Sequence, residues 1–585
     1  MEKSSKTKKY KLIGSLLIMC LIVALFNHAM YWTEYSTWFN KMLVLFISLF
    51  SVIGVPCILT FVRPVSDYID RFVDNKKKQF KSIIDNPKKT LIYILFLVVL
   101  VIASFFVNRI LYAGSKDKYI TQYFFSGCAL LIFFVCVFRK YAYKRAEVLF
   151  AGIALIMGIT FVFISPRNLL VTWDDETHYI RAESIADIFD NTKYSAEQAF
   201  YESQPASYWY SVGEMTDEEF QNVFDNIEQL YSDKNIEERF TSSIGIEFMA
   251  YIPAATGTIL GRALGLSFIH TFMLAKIMNL ISYVVVMYFA IKTLRYGKIL
   301  LSVTGLMGTT MFMASTYSYD FWVISFFTLG FCMFISELQY REKKLTYGRI
   351  ITMNVIFAVA LMPKAIYFVA MFALLFMPKD KFIDKKQRMW YFIVIIGIAI
   401  LLMLSFVAPM LINTDQRTDS RGGDNISSAG QIAFIFGNPV QYTHILIKFM
   451  MEYLSLENAG DYVNFMAYMG NGYGETLTLV LLGILSFIDR GEERVSIPAI
   501  RIAYFFSAIA CIALIATALY ISYTPVGYDT VSGCQQRYLL PLLFPTLYFI
   551  GVDGIKISIN KNVMAIISMG IMSVLFMSSI FSMCI

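Results

Sequence analysis

The sequence predicts an all-α, polytopic helical membrane protein, and three observations carry that prediction. Hydrophobic residue types make up 57% of the 585 residues and charged types only 16%, against about 25% charged in soluble domains. The apolar residues stand in long unbroken blocks, such as 91–107, 391–410 and 502–521, each approaching the ~20 residues that carry a helix across a ~30 Å hydrocarbon core. The ~10-residue alternating segments of a closed barrel are not the pattern here.

The elements follow in order from the distribution of Lys and Arg, which gathers in short cytoplasmic loops. Lys3, Lys6, Lys8, Lys9 and Lys11 place the N-terminus inside, ahead of a retained signal anchor. Helices from about Leu12 and about Met42 return the chain to the basic segment 63–90, again inside. Helices near 91–108 and 121–138 lead to Arg139, Lys140, Lys144 and Arg145, and a helix near 147–164 then sends the chain outside. The stretch 165–245 holds 17 Asp plus Glu and five Lys plus Arg, which suits a large helical extracytoplasmic loop. The segment 251–268 is interrupted by Pro253 and three glycines and is expected to be re-entrant or interfacial. Basic connectors at 292–298, 338–349, 379–388 and 490–501 fall inside, giving about 13–15 crossings in all.

Four regions result: N-terminal helices with a basic loop (1–146), a membrane core containing the acidic loop (147–411), a second extracytoplasmic loop (412–473) and C-terminal helices (474–585). The eight cysteines show no CxxC spacing and the four histidines no HxH or HExxH spacing, so no disulfide framework or metal site is signalled. The formal net charge of +7 belongs to membrane-flanking loops, which argues against a nucleic-acid partner and for the lipid bilayer.

Five polar clusters fall on the predicted outer side. They are 173–181, Tyr319-Asp320, Pro363-Lys364, the loop 414–473, and 533–538. Ionisable groups at membrane depth are costly and usually face a cavity or a partner. Carboxylates converging with Arg and Lys describe a site for an anionic substrate. In the first cluster Asp174, Asp175 and Glu176 are candidates for a general base. His178 is spaced to share a helical face with Asp174 or Asp175, and Arg181 follows one turn on. The bland alternative is an interfacial loop whose acids pair with Arg167 and Arg181. Three adjacent acids permit a divalent cation without requiring one. Arg537 offers a fork matched to phosphate oxygens, set against the alternative of a snorkelling side chain. Lys364 and Asp320 can equally mark a tight turn and a helix cap.

These motifs occur in one order: Trp173-Asp-Asp-Glu-Thr-His-Tyr-Ile-Arg181, Tyr251-Ile-Pro-Ala-Ala with Gly261-Arg262, Ser318-Tyr-Asp320, Lys364 with Tyr367, and Gly533-Cys-Gln-Gln-Arg-Tyr-Leu-Leu-Pro541. Over roughly residues 150–560 they resemble a bacterial family known as domain of unknown function 2142, with Cys534-Gln535-Gln536 departing from the Val-Gln-Gly usual before the Arg. That family in turn resembles the GT-C glycosyltransferases, multi-pass enzymes that use polyprenyl-phosphate-sugar donors. The resemblance implies a bacterial plasma-membrane enzyme with an extracytoplasmic site, no obligatory cofactor, and a cell-surface glycan as acceptor. It makes Asp175 the best match for the base, ahead of Glu176 and Asp174. It gives Arg537, with Lys364, to the donor phosphate; His178, Arg181, Asp320, Gln536 and Tyr538 complete the candidate substrate-binding residues. A lipid-linked-sugar flippase and a non-catalytic subunit of a polysaccharide assembly system are the competing readings.

Overall fold

A computed structural model describes residues 87–114, 118–165, 172–189, 246–412, 425–491 apart from 456 and 459, 498–552 and 559–585, with four single positions between 222 and 229. The expected helices near Leu12 and Met42, the basic segment before 87, most of the acidic loop and the run 414–424 lie outside the described residues. Everything described is helical apart from turns and one isolated bridge. Among the described residues eight helices are long and apolar enough to cross a membrane, so the chain is a multi-pass membrane protein.

The first three helices, α1 (Pro87–Tyr112), α2 (Lys118–Phe138) and α3 (Ala146–Ile164), pack in sequence order. Next come α4 (Asp175–Phe189), α5 (Ile252–Ala263) and α6 (Phe268–Thr293). Helix α6 is central, contacting α3, α5 and α9 (Asp320–Gln339). Buried share separates the layers: 89% of the apolar stretch of α9 is enclosed by protein, against 11% for α1. α9 is therefore the axle of the bundle, and α1 presents its Leu, Ile, Val and Phe side chains to lipid.

Helix α5 is 12 residues long, about 18 Å at 1.5 Å per residue, too short to cross the hydrocarbon core. It lies tight on α6 because Gly257 has no side chain: a Cβ there would stand 2.5 Å from the Cα of Ala275.

Between α6 and α9 the chain makes two short buried helices, α7 (Lys298–Gly305) and α8 (Gly308–Ala314), broken at Leu306-Met307. A break inside a membrane bundle frees backbone groups that lipid cannot satisfy. Here side chains do so. Tyr283 donates its hydroxyl to the Gly305 carbonyl at 2.8 Å, and Asn464 Oδ1 accepts from the Gly308 N–H at 3.3 Å. The other end of α7 is capped by Asp489, whose Oδ2 accepts the N–H groups of Ile299 and Leu300, a charge suited to a helix N-terminus.

After α9, α10 (Tyr347–Leu361) stops at Pro363, and a 3₁₀ helix (Ala365–Phe376) runs back toward the end where α10 began. Both ends of this pair meet Glu337: Arg349 at 2.9 Å and Lys381 at 3.2 Å. Its tip, Lys364, touches Asp320 at the opposite end of α9. The remaining helices are α11 (Lys385–Ile412), α12 (Ser428–Gly437), α13 (Pro439–Tyr453), α14 (Glu475–Ile488), α15 (Pro498–Ser522), α16 (Leu540–Ile550) and α17 (Lys561–Cys584).

The bundle therefore has two distinct ends. At one, Gln339 bonds the backbone of Arg295 and Tyr296 and the Tyr548 hydroxyl, while Lys561 reaches the Tyr143 hydroxyl and the Arg490 carbonyl. The connectors rich in Lys and Arg meet there. The other end, one length of α9 or about 30 Å away, carries Asp320.

Substituting Gly257 by Ala should push α5 off α6 and cost at least the ~1–3 kcal/mol of overpacking, read as a lowered unfolding midpoint of the purified protein. Gly397 on α11 has open space around it. Gly397→Ala should leave the midpoint unchanged or raise it, because the helix loses a flexible residue.

A charged site at the end of the bundle

Four charged side chains from four separate segments meet at the Asp320 end. Asp320 opens α9, where a carboxylate is favoured by the helix dipole. Its Oδ1 accepts from Lys364 Nζ at 2.8 Å, and its Oδ2 stands 3.1 Å from Arg537 Nη1. Arg537 Nη2 lies 3.7 Å from Asp174 Oδ2. The order is thus Lys364, Asp320, Arg537, Asp174, alternating in sign.

Aromatic rings wall this row. Arg537 lies 4.4 Å from the centre of the Trp173 ring, and Lys364 lies 4.1 Å from Tyr538 and 5.4 Å from Tyr319. Such contacts stabilise a cation by roughly 0.5–2 kcal/mol, more where water is excluded. Arg537 is only 5% exposed. Its Nε has no hydrogen-bond partner among the described residues, and its Nη1, close as it is to Asp320, is off the hydrogen-bond direction. The guanidinium is held by charge and ring contacts, with donor capacity left over.

The turn that carries Arg537 is fixed from outside. Gly533, at φ +76°, packs under Tyr523, where a Cβ would meet the ring at 2.6 Å. Tyr453 donates to the Gln535 carbonyl and Tyr367 to the Tyr538 carbonyl, each at 2.7 Å. Gln536, between them, is half-exposed.

The acidic motif divides. Asp174 has a left-handed backbone, φ 56°, a conformation Asp tolerates better than most residues, and its side chain is 33% exposed. Asp175 begins α4 and is fully buried. Its two oxygens accept the N–H groups of Thr172 and Tyr317, each at 3.3 Å, and it interacts electrostatically with the buried Lys276 of α6. Asp175 thereby ties α4 to the segment before α9. The Glu176 side chain lies outside the described residues.

His178 points to a hydroxyl rather than to a carboxylate. Its Nδ1 is 2.8 Å from Tyr251 Oη, and its ring meets Tyr319 edge-on at 4.9 Å. Burial, and then the nearby Arg537, push its pKa down to about 3, overriding the opposite pull of Asp320 and Asp174. Arg181 turns away from the row to Glu247, at 2.6 Å. Farther along α4, Glu183 and Asp187 pair with the buried Arg262 of α5, and Thr258 donates to Glu183 at 2.8 Å. These contacts lock α4 to α5.

Sequence reasoning named all four charges of the row; it quoted Trp173, Tyr319 and Tyr251 within its motifs without giving them a role, and it missed Lys276. Lys276 did carry a signal, as the one Lys or Arg ahead of the last turn in a mostly apolar 26-residue helix. Among the described residues no group of three or more His, Cys, Asp and Glu is placed to hold a metal ion.

The chain matches the family model DUF2142, described as a predicted membrane protein, over residues 155–545, and it belongs to that family. The matched stretch contains the whole charged row. No curated protein and no solved structure matches the chain.

With its pKa near 3, His178 stays neutral through the range where an exposed imidazole, near 6.5, takes up a proton. The unfolded chain binds that proton and the folded chain does not, so this group removes stability as pH falls from about 6.5 toward about 3. Solid-state ¹⁵N spectra of histidine-labelled protein, compared with His178→Gln, should show the His178 signals in the neutral form at both pH 7.5 and pH 5, ~1 unit or more to either side of that ordinary value.

Proposed function

We propose that this DUF2142 membrane protein is a glycosyltransferase of the GT-C type. It moves a sugar from a polyprenyl-phosphate donor to a hydroxyl of a cell-surface glycan, on the extracytoplasmic side of a bacterial plasma membrane. The observation that carries the reading is Arg537: a buried guanidinium with unused donors, next to the half-exposed carboxylate that closes the row. A phosphate is the anion that a planar fork fits best, and Lys364 supplies a second cation on the far side of Asp320. The Trp173, Tyr319 and Tyr538 faces suit a sugar ring.

In this reading Asp174 is the base. Of the two acids with described side chains it is the one solvent reaches, whereas Asp175 spends both oxygens on backbone N–H groups. Its ion pair with Arg537, at 3.7 Å, is the loosest in the row. A phosphate arriving at Arg537 competes for that contact, and Asp174 accepts the proton of an acceptor hydroxyl. The hydroxyl oxygen then bonds to the sugar's anomeric carbon, the carbon–oxygen bond to the lipid phosphate breaks, and the electron pair stays on the phosphate, held by Arg537 and Lys364. Asp175 acts as a positioning residue.

One observation favours a transport reading: the buried break between α7 and α8, since discontinuous helices line substrate paths in many transporters. The two readings separate cleanly. Asp174→Asn should lower transfer by about 10²–10⁴-fold, the usual contribution of a general base, at normal protein level. Arg537→Ala should abolish it, with Arg537→Lys restoring only part, because an ammonium lacks the fork. Sugar composition and linkage of surface glycan from complemented deletion strains reads all three. Normal glycan with Asp174→Asn overturns the base assignment. Movement of a labelled lipid-linked sugar across vesicles without acceptor would put transport ahead.

A further inference from the structure

Between Val463 and α14 the chain folds back on itself as a tight hairpin beside the charged row. Phe465 and Asn471 pair across it. The Gly472 N–H donates to the Asn464 carbonyl at 2.7 Å, and the Met466 N–H donates to the Gly470 carbonyl at 2.9 Å. Its turn holds two residues at positive φ, Ala467 at 51° and Gly470 at 92°. An alanine keeps that backbone only where its surroundings impose it, so this loop is held firmly.

Asn464 is what holds it. The residue is 4% exposed, and its side chain joins two segments: Oδ1 accepts the Gly308 N–H at 3.3 Å, and Nδ2 donates to the Tyr473 carbonyl at 2.7 Å. The start of α8 comes so near because Gly308 has no side chain; a Cβ there would stand 2.8 Å from Asn464 Oδ1. The Tyr473 N–H in turn donates to Ser579 Oγ of α17 at 2.8 Å. The hairpin is therefore seated on two helices of the core.

The residue after Asn464 carries this placement to the site. Phe465 meets the Trp173 ring at 5.5 Å, and Trp173 meets Arg537 at 4.4 Å. Attraction to Asp320 and Asp174 depends on distance and leaves the plane of the guanidinium free to turn. Hydrogen bonds would fix that plane, but Arg537 Nε and Nη1 have none among the described residues. Contact with a ring face orients a planar cation in their place.

We propose that Asn464 is a positioning residue for Arg537: through Phe465 and Trp173 it sets the orientation in which the guanidinium meets an anionic phosphate. This rests on the functional reading above and adds to it the part of the fold that aims the cation. Asn464 thus serves both the α7–α8 break and the charged row, and a change at Gly308, which touches no charge of the row, reaches the site through it.

The test uses full-length protein in phospholipid nanodiscs, labelled with fluorotryptophan, with the Trp173 line assigned by its loss in Trp173→Phe. Asn464→Ala, Gly308→Ala and Phe465→Leu break the chain of contacts at three points, and size-exclusion profiles select the variants that fold. Phe465 is partly exposed, so its variant keeps the test decisive where the buried changes do not fold. Each folded variant should shift the ¹⁹F line of Trp173 and weaken binding of radiolabelled polyprenyl phosphate by about tenfold, the size of one ring contact to a cation. Gly152→Ala, which puts a Cβ 2.1 Å from the Phe134 ring of α2, strains the bundle elsewhere and should do neither. An unmoved Trp173 line, or one that Gly152→Ala moves as far, overturns the proposal, and so does a moved line with unchanged binding. Arg537→Ala separates this claim from the functional reading. If binding needs Arg537 but ignores Asn464, Gly308 and Phe465, the positioning role alone fails. If binding is indifferent to Arg537, the phosphate assignment fails with it.

Discussion

The site depends on the Asp320 carboxylate being shared between two cations. Lys364 and Arg537 come from segments far apart in the sequence, which also meet through Tyr367 and Tyr538, and each cation is drawn to one oxygen of the same group. Without that anion two like charges would face each other where water screens poorly. Desolvating three charges is expensive, and only close geometry offsets it. The geometry is available because Asp320 begins α9, the most enclosed of the crossing helices. Its position is set by the packing of the whole core, so the cations gather around a fixed point.

A second constraint acts from the side. Asp174 reaches Arg537 only because α4 is held at a defined height and rotation. Asp175 pins the first turn to the backbone before α9, His178 meets Tyr251, and Glu183 and Asp187 grip Arg262. These contacts all join α4 to α5 or to the α6–α9 connection. They explain why a motif with several ionisable groups leaves so few of them facing the row: most are spent on orientation.

The fold class was legible because membrane helices declare themselves by unbroken apolar length, which needs no tertiary context. The charges of the row were legible one by one for a related reason: an ionisable group at a helix end in lipid is costly enough to stand out. What ties them together was not. Lys364 and Asp320 are 44 residues apart, and His178 and Tyr251 are 73; only sidedness could have grouped them. The division of labour within Asp174-Asp175 was also hidden, since it turns on a single left-handed residue that sends neighbouring carboxylates in opposite directions. The α7–α8 break was missed because it has no proline; it persists through Tyr283 and Asn464, which are remote in sequence.

The same accounting weighs the enzyme reading against transport. At the α7–α8 break the freed carbonyl of Gly305 and N–H of Gly308 are already answered by side chains. At the break itself the groups left over are neutral: the hydroxyls of Thr309 and Ser315 and the Oδ1 of Asn279 have no hydrogen-bond partner among the described residues. An unsatisfied neutral group costs about 1–3 kcal/mol, and a charged one more. Arg537 is charged, nearly as enclosed, and short of hydrogen bonds at two nitrogens. Of these two places the stronger unmet demand is at the charged row, beside a carboxylate that solvent reaches, and it is a demand for an anion. A carrier needs its strongest demand where both sides of the membrane can be served in turn; a demand at one end of the bundle, where α9 begins, suits a transferase working on a lipid headgroup.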